Sequence, residues 1–205
     1  MKKSLALVAM LVAAPAMADS LAVRGSAEFI AGATLDAGHG FKDNSADGYR
    51  VGLEVVHPIP LLPNALVRYQ NLDGSSNGEV LEQEKLDAIG YYQLLDNGLI
   101  NVDLGAGWRK QTNTRGRYSV EHGMFLAYSA GELRIPGTPL AVTGELNMPF
   151  YDNTWGYDGQ LGLAMRMGAI NLKAGYQWAK MDFNDSNKAG DVETNGWYGG
   201  LTFGF

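Results

Sequence analysis

The stretch Ile100-Asn101-Val102-Asp103-Leu104-Gly105-Ala106-Gly107-Trp108-Arg109 decides the fold. Its even positions are apolar or small, and Asn101, Asp103 and Arg109 stand at odd positions. A period of two belongs to a β-strand, whose successive side chains leave opposite faces. The same beat runs through the odd residues Leu21 to Leu35 against Arg24, Ser26, Glu28 and Thr34, and through Tyr49, Val51, Leu53 and Val55 against Arg50 and Glu54. It returns in Leu140, Val142, Leu146 and Met148 against Thr143, Glu145 and Asn147, and in Ile170, Leu172, Ala174, Tyr176 and Trp178 against Asn171, Lys173 and Gln177. Weaker copies cover 65–72, 85–94, 118–133 and 155–167, and Trp197, Leu201, Phe203 and Phe205 share the last face. The pattern predicts ten strands, or eight if the first or third does not cross. No sustained period of 3.6 predicts a helix longer than a turn or two.

Composition narrows the class. The 205 residues fit one domain, and the absence of cysteine excludes disulfides, thiolate metal sites and a cysteine nucleophile. A net charge of −6 with only 16 Lys and Arg excludes nucleic acid as a partner, because the positive field it requires is missing. A hydrophobic fraction of 46% excludes disorder.

Residues 1–18 form an address. Lys2 and Lys3 precede an apolar run from Leu5 to Ala14, and Ala16-Met17-Ala18 ends it with the small residues a signal peptidase requires. The run is too short to cross a bilayer as a helix. A signal peptide over 1–18 and a barrel over 19–205 are therefore predicted.

A soluble sandwich also alternates, but its apolar face must pack on a second sheet. Here one face carries Arg24, Glu28, Arg50, Glu54, Arg68, Lys85, Asp87, Asp103, Arg109, Glu121, Glu145, Asp158, Arg166 and Lys173 in mid-strand. The other ends in Tyr49, Tyr69, Tyr92, Trp108, Tyr128, Trp155, Tyr157, Tyr176, Trp178 and Trp197, residues that suit a bilayer interface. This polarity predicts an all-β fold, a closed antiparallel transmembrane β-barrel, since only closure satisfies every backbone group in lipid. Gly105, Gly107, Gly162, Gly175, Gly199, Gly200 and Gly204 sit inside strands and predict a narrow, strongly curved wall. Short Pro- and Gly-rich turns at 57–64, 95–98, 135–139 and 167–170 are placed in the periplasm with both termini. Polar stretches at 38–47, 73–84, 111–117, 151–154 and 182–193 are read as longer outer loops.

The closing Gly199-Gly200-Leu201-Thr202-Phe203-Gly204-Phe205 resembles the last strand of bacterial outer-membrane barrels. That resemblance implies recognition by the outer-membrane assembly machinery through Phe205. Together with Val56-His57-Pro58-Ile59-Pro60-Leu61-Leu62-Pro63-Asn64 and with Tyr91-Tyr92-Gln93-Leu94-Leu95-Asp96-Asn97 followed by Asn101-Val102-Asp103-Leu104-Gly105, it is similar to an uncharacterised family of small proteobacterial outer-membrane β-barrel proteins. A looser similarity extends to the YfaZ, OmpW and OmpX groups. The resemblance implies fold and outer-membrane location but no activity and no site residues.

Chemistry is sparse. His39 lies near Asp36, Asp43 and Asp47, His57 begins a proline-rich turn, and His122 falls near Ser119 and Ser129. None sits in a motif pairing a nucleophile with a base. Asp43, Asp47, Asp182, Asp185, Asp191 and Glu193 offer oxygen ligands for Ca²⁺ or for ions bridging to lipopolysaccharide, but their spacing matches no calcium loop. The inward set holds seven basic and seven acidic residues, so ion pairing is expected to fill the lumen. Arg24 with Glu28, Arg50 with Glu54, and Asp103 with Arg109 share a face and are offered as lumen partners, with cross-strand mates open. No catalytic, cofactor-binding or metal-binding residues are expected, and lipid and lipopolysaccharide are the expected partners. The expected function is a non-enzymatic outer-membrane barrel with a structural or rim ligand-binding role and an occluded lumen. A narrow passive channel for small solutes is the alternative, and a lipid-modifying hydrolase using His39 is the third reading.

Overall fold

The structure, a computed structural model, describes residues 21–38, 40–59, 61–152, 154–182 and 192–204. Ten strands follow one another: β1 (Ala22–Asp36), β2 (Lys42–Val56), β3 (Asn64–Ser76), β4 (Glu79–Asp96), β5 (Ile100–Arg115), β6 (Tyr118–Arg134), β7 (Leu140–Tyr151), β8 (Thr154–Met167), β9 (Ile170–Asp182) and β10 (Val192–Gly204). Each pairs antiparallel with its neighbour in sequence, and β1 pairs with β10, so the sheet closes into a barrel. Ten strands, not eight, are present. The signal-peptide residues 1–18 and the terminal Phe205 lie outside the described residues.

The outward face is apolar. Phe29, Val51, Leu53, Val67, Leu86, Leu104, Leu161, Leu163 and Leu172 are exposed on it. Aromatic rings band it toward the end where β1 joins β2: Tyr49 meets Tyr69 at 6.0 Å, Trp108 meets Phe125 edge-on at 5.1 Å, Phe125 meets Phe150 at 6.0 Å, and Tyr176 meets Trp197 at 5.2 Å. Such offset and edge-to-face contacts add to plain burial. Tyr128 departs from the expected band: it points inward and packs on the buried Tyr91 at 5.9 Å.

A bulge inverts part of β1. Register slips between Ile30 and Ala33 against β2, and between Ala31 and Thr34 against β10, with Gly32 at φ 57°. One extra residue exchanges the two faces. Odd residues face out up to Phe29, yet beyond the bulge Ala33 and Leu35 are fully buried inside. The single outward face predicted for Leu21 to Leu35 is corrected accordingly.

The polar stretches are mostly strand rather than loop. β3 and β4 are joined through Asn77 and Gly78, both left-handed, and β5 and β6 through residues 116–117. Connections at the opposite end, 57–63, 97–99, 135–139 and 168–169, are no shorter. The asymmetry lies in polarity: strand ends carrying Asp73, Glu82, Glu84, Lys110 and Glu121 project beyond the aromatic band. Residues 183–191 lie outside the described residues.

Two irregularities in the wall have local causes. The β7–β8 ladder skips from Asn147 opposite Asp158 to Phe150 opposite Trp155, and between them Pro149 has no N–H to donate. Gly162 on β8 stands opposite Gly175 on β9, and a Cβ on Gly175 would strike the Leu161 carbonyl and the Gly162 Cα. Replacement Gly175→Ala is expected to cost about 1–3 kcal/mol, the range for overpacking. Gly199→Ala, whose Cβ would meet only the Lys173 carbonyl at 3.9 Å, should change stability by less than about 0.5 kcal/mol. Urea unfolding of both variants in detergent, followed by tryptophan fluorescence, measures the difference.

Candidate functional site

The lumen concentrates this protein's polar chemistry. Its side chains come from alternate positions of every strand, so cross-strand register decides which groups meet. Residues directly opposite lie about 5 Å apart, whereas residues four apart along one strand are separated by about 13 Å. The lumen residues offered from one strand face therefore find their mates across strands. Arg24 pairs with Glu54 at 3.3 Å and Arg50 with Glu28 at 3.4 Å. Arg109 pairs with Asp87 and Asp158 rather than with Asp103.

A central network joins opposite walls. Arg68, Asp87 and Arg109 stand side by side on β3, β4 and β5 in the order plus, minus, plus. Arg68 Nε donates to Asp87 Oδ2 at 2.9 Å, and Arg109 Nε donates to Asp87 Oδ1 at 2.7 Å. Each arginine then reaches across the barrel. Arg68 binds Glu145 and donates to Asn147 Oδ1 at 2.9 Å, and Arg109 binds Asp158. Asn147 Nδ2 closes the circuit with Glu145 Oε1 at 2.7 Å and Asp158 Oδ1 at 3.1 Å. Arg109 is only 1% exposed, the largest side chain buried to that degree.

Arg50 forms a second bridge. Its guanidinium donates to Gln70 at 3.0 and 2.6 Å, to Gln160 at 2.9 Å and to Gln177 at 3.2 Å, tying β2 and β3 to β8 and β9. The guanidinium fork suits such multidentate contact better than an ammonium would. Sequence reasoning missed Asn147, Gln70, Gln160 and Gln177 because it counted only charges. Gln70 stands in register opposite Arg50, Asn147 opposite Asp158, and Gln160 opposite both Glu145 and Gln177; this inward parity beside lumen charges is the signal that identifies them.

The network separates two unlike halves. On the side of the β1–β2 connection the interior is apolar: Ile30, Leu35, Phe41, Leu72, Leu81, Met124, Met181 and Val192 form one buried cluster. The Arg115 guanidinium lies 5.3 Å from the centre of the Phe41 ring and binds Glu79 at 2.7 Å. The sequence reading expected a lumen cross-linked by ion pairs and did not anticipate this apolar layer. The β1 bulge sends Ala33 and Leu35 inward beside Ile30, Phe41 enters from the β1–β2 connection, and the inward parities of β2, β3, β4, β6, β9 and β10 supply the rest. On the other side a cavity of about 410 Å³ opens between Arg24, Glu54, Asp103, Glu132, Arg166 and Lys173. Asp103 has a buried oxygen without a hydrogen-bond partner there.

The remaining sequence candidates are placed as follows. Glu121 faces outward, where it pairs with Lys110 at 2.8 Å. His57 is tied into its turn: the Ile59 N–H donates to Nδ1 at 3.2 Å, so Nε2 carries the proton and donates to the Pro63 carbonyl at 3.1 Å. His122 has even parity on β6 and Ser119 and Ser129 odd, so the hydroxyls and the imidazole occupy opposite faces. Ser119 contacts Thr114 at 3.1 Å and Ser129 donates to the Leu146 carbonyl at 3.4 Å. His39, Asp185 and Asp191 lie outside the described residues. Among the acidic candidates, Asp43 accepts from the Ser75 and Ser45 N–H groups at 2.6 and 2.8 Å, Asp47 accepts from Gly32 N–H at 3.0 Å, and Glu193 binds Lys180 at 2.6 Å. Burial pushes the Asp43 carboxyl up, but these donors outweigh it and hold it below its ordinary value. Among the described residues no group of three or more His, Cys, Asp or Glu side chains is placed to hold a metal ion.

These features define a closed, antiparallel β-barrel with an inside-out distribution of polarity. No protein-family model matches the chain and no curated protein resembles it in sequence, so the resemblance to small proteobacterial barrels rests on its motifs. Among solved structures, it is similar to Neisserial surface protein A at 14% identity and TM-score 0.43, over 91% of this chain and 98% of that one. It is similar to Ail, the attachment invasion locus protein of Yersinia pestis, at 11% identity and TM-score 0.40, over 91% and 99%. The β domain of the Bordetella autotransporter BrkA gives 10% identity and TM-score 0.46, over 91% and 99%. The fold assignment rests on the strand pairing described above and not on these likenesses.

Removing Arg109 takes from Asp158 its ion-pair partner and leaves Asp87 to Arg68 alone, and Arg109→Ala is expected to cost about 3–5 kcal/mol. Arg24→Ala breaks a half-exposed pair and should cost less than about 1 kcal/mol. Equilibrium urea unfolding of the two variants beside the parent protein checks both magnitudes.

Proposed function

We propose that the chain is a non-enzymatic integral barrel of the bacterial outer membrane, with a closed lumen and a structural or rim-binding role. The observation that carries this reading is the inverted polarity of the wall. Arg109, Arg68, Asp87 and Lys85 are buried inside while leucines and aromatic rings are exposed outside, and water offers such an outer face no cover. A bilayer does, and a closed sheet leaves no unpaired edge in it. Strands of 12 to 18 residues exceed the roughly 9–11 needed to cross, which leaves polar ends to project. The cleaved segment 1–18 directs export, and the described ends of β1 and β10 face the periplasm.

Closure of the lumen is supported by the sequence of layers along the axis. The buried apolar cluster admits no hydrated ion, and below it two arginines join opposite walls. The non-enzymatic reading is supported by the confinement of His57 to its turn and by the separation of His122 from Ser119 and Ser129. The second reading, a narrow passive channel, is favoured by the cavity of about 410 Å³ on the periplasmic side.

Protein refolded in detergent is expected to migrate faster on gels unheated than boiled, and to give no steady conductance in planar bilayers. Reproducible openings would replace the closed barrel with the channel. A band unchanged by heating would overturn the membrane reading itself.

A further inference from the structure

The turn between β2 and β3, Val56-His57-Pro58-Ile59-Pro60-Leu61-Leu62-Pro63-Asn64, is more apolar than a turn facing water should be, and the lumen makes no use of it. It carries no charge between His57 and Asn64. Leu61 is 92% exposed, and Ile59 and Leu62 are more than half exposed. Leu61 also holds φ at 68°, a conformation disfavoured for a branched side chain. Strain that fully exposes a leucine is hard to account for in water.

The turn folds outward over the wall. The Tyr92 hydroxyl, on the outer face of β4, donates to the Leu61 carbonyl at 2.9 Å. Pro63 lies over Gly90, two residues earlier on the same face, where a Cβ would meet the proline ring at an ordinary contact distance of 3.5 Å. From within, the His57 N–H donates to Asn64 Oδ1 at 3.1 Å and the His57 ring links Ile59 to Pro63. The result is a braced ledge lying against the outer wall. Leu94 continues the outward phase of Gly90 and Tyr92, and a bulge in β4 between Gln93 and Leu95 brings Leu95 to the same face; the two, 62% and 43% exposed, extend the ledge sideways. Above it, Leu53, Val67 and Leu104 continue the same apolar surface without a break in polarity.

We propose that this ledge is a lipid anchor: Ile59, Leu61, Leu62 and Leu94 insert among the phospholipids of the inner leaflet and fix the depth of the barrel on the β2–β5 side. The proposal rests on the membrane reading above. Continuity with the lipid-facing wall and the absence of charge select acyl chains as the occupant, with Tyr92 at the boundary between headgroup and chain. An apolar element at such an interface sits about 5–10 Å into the headgroup and acyl boundary.

The chain has no cysteine, so a probe is placed by one substitution. Leu61→Cys, in the full mature protein refolded into phosphatidylcholine and phosphatidylglycerol vesicles, is labelled with bimane. It is then challenged with phospholipids carrying shallow nitroxides and with aqueous iodide. Leu104→Cys, on the wall, reports the membrane reading separately. The ledge is expected to be quenched at least about threefold more by lipid nitroxide than by iodide, as an interfacial residue should be. Leu62→Asp added to the same labelled protein should reverse that ratio while the heat-dependent gel shift persists. Iodide quenching at Leu61 with lipid quenching at Leu104 overturns the anchor and leaves the barrel in its membrane. Shielding of Leu61 from both quenchers also overturns it, in favour of cover by protein such as a second copy of the chain. Absence of lipid quenching at Leu104 removes the membrane reading and the anchor together.

Discussion

The guanidinium of Arg109 is held between Asp87 on the adjoining strand and Asp158 across the lumen, and the interior is arranged around that contact. A charge with so little access to water must be matched locally, because isolated burial of an ion costs several kcal/mol even after relaxation. The matching is done by neighbours of neighbours. Asp87 also serves Arg68, Arg68 also serves Glu145 and Asn147, and Asn147 returns to Asp158. Each group has at least two partners and every one is tied to another strand, so displacement of one strand disturbs several bonds together. Ten strands set the diameter of the barrel, and these side chains are long enough to reach across it.

Strand identity and closure were legible in the sequence because a half-buried strand writes its two faces directly into parity. Parity was also where the reading failed. It cannot reveal a bulge, so Leu35 was assigned outward although the extra residue around Gly32 turns it inward. Nor can it fix the face of a strand with mixed signals, and β6 illustrates this. Glu121 looked inward and Tyr128 outward on chemical grounds, yet Met124 and Leu126 set the opposite phase. Partner choice was illegible for a different reason. The distance between Arg50 and Glu28 depends on how two strands slide past each other, and each strand alone is silent on that.

The candidate site was legible in its charges and obscure in its neutral members. Arg50 could be seen, but Gln70, Gln160 and Gln177 around it could not, since an amide on a strand face is more often at a surface than inside. The apolar layer was obscure because its residues lie on seven strands and the loop between β1 and β2, with no local density of leucine to mark it. Register between strands is the information missing in both cases.

Strand order has a further consequence. Nine of the ten junctions in the ring join strands that follow one another in the chain, and only β1 with β10 joins distant ones. Hairpins are inexpensive in loop-closure entropy and form early, whereas the last junction must bring together residues almost a full chain apart. That junction also includes Gly199 and Gly200 facing Phe29 and Glu28, where a β-carbon on Gly200 would strike the Ala27 carbonyl. The barrel is thus a zipper with one clasp: nine seams are local in the chain, and the tenth, packed tightly at Gly200, alone ties its two ends.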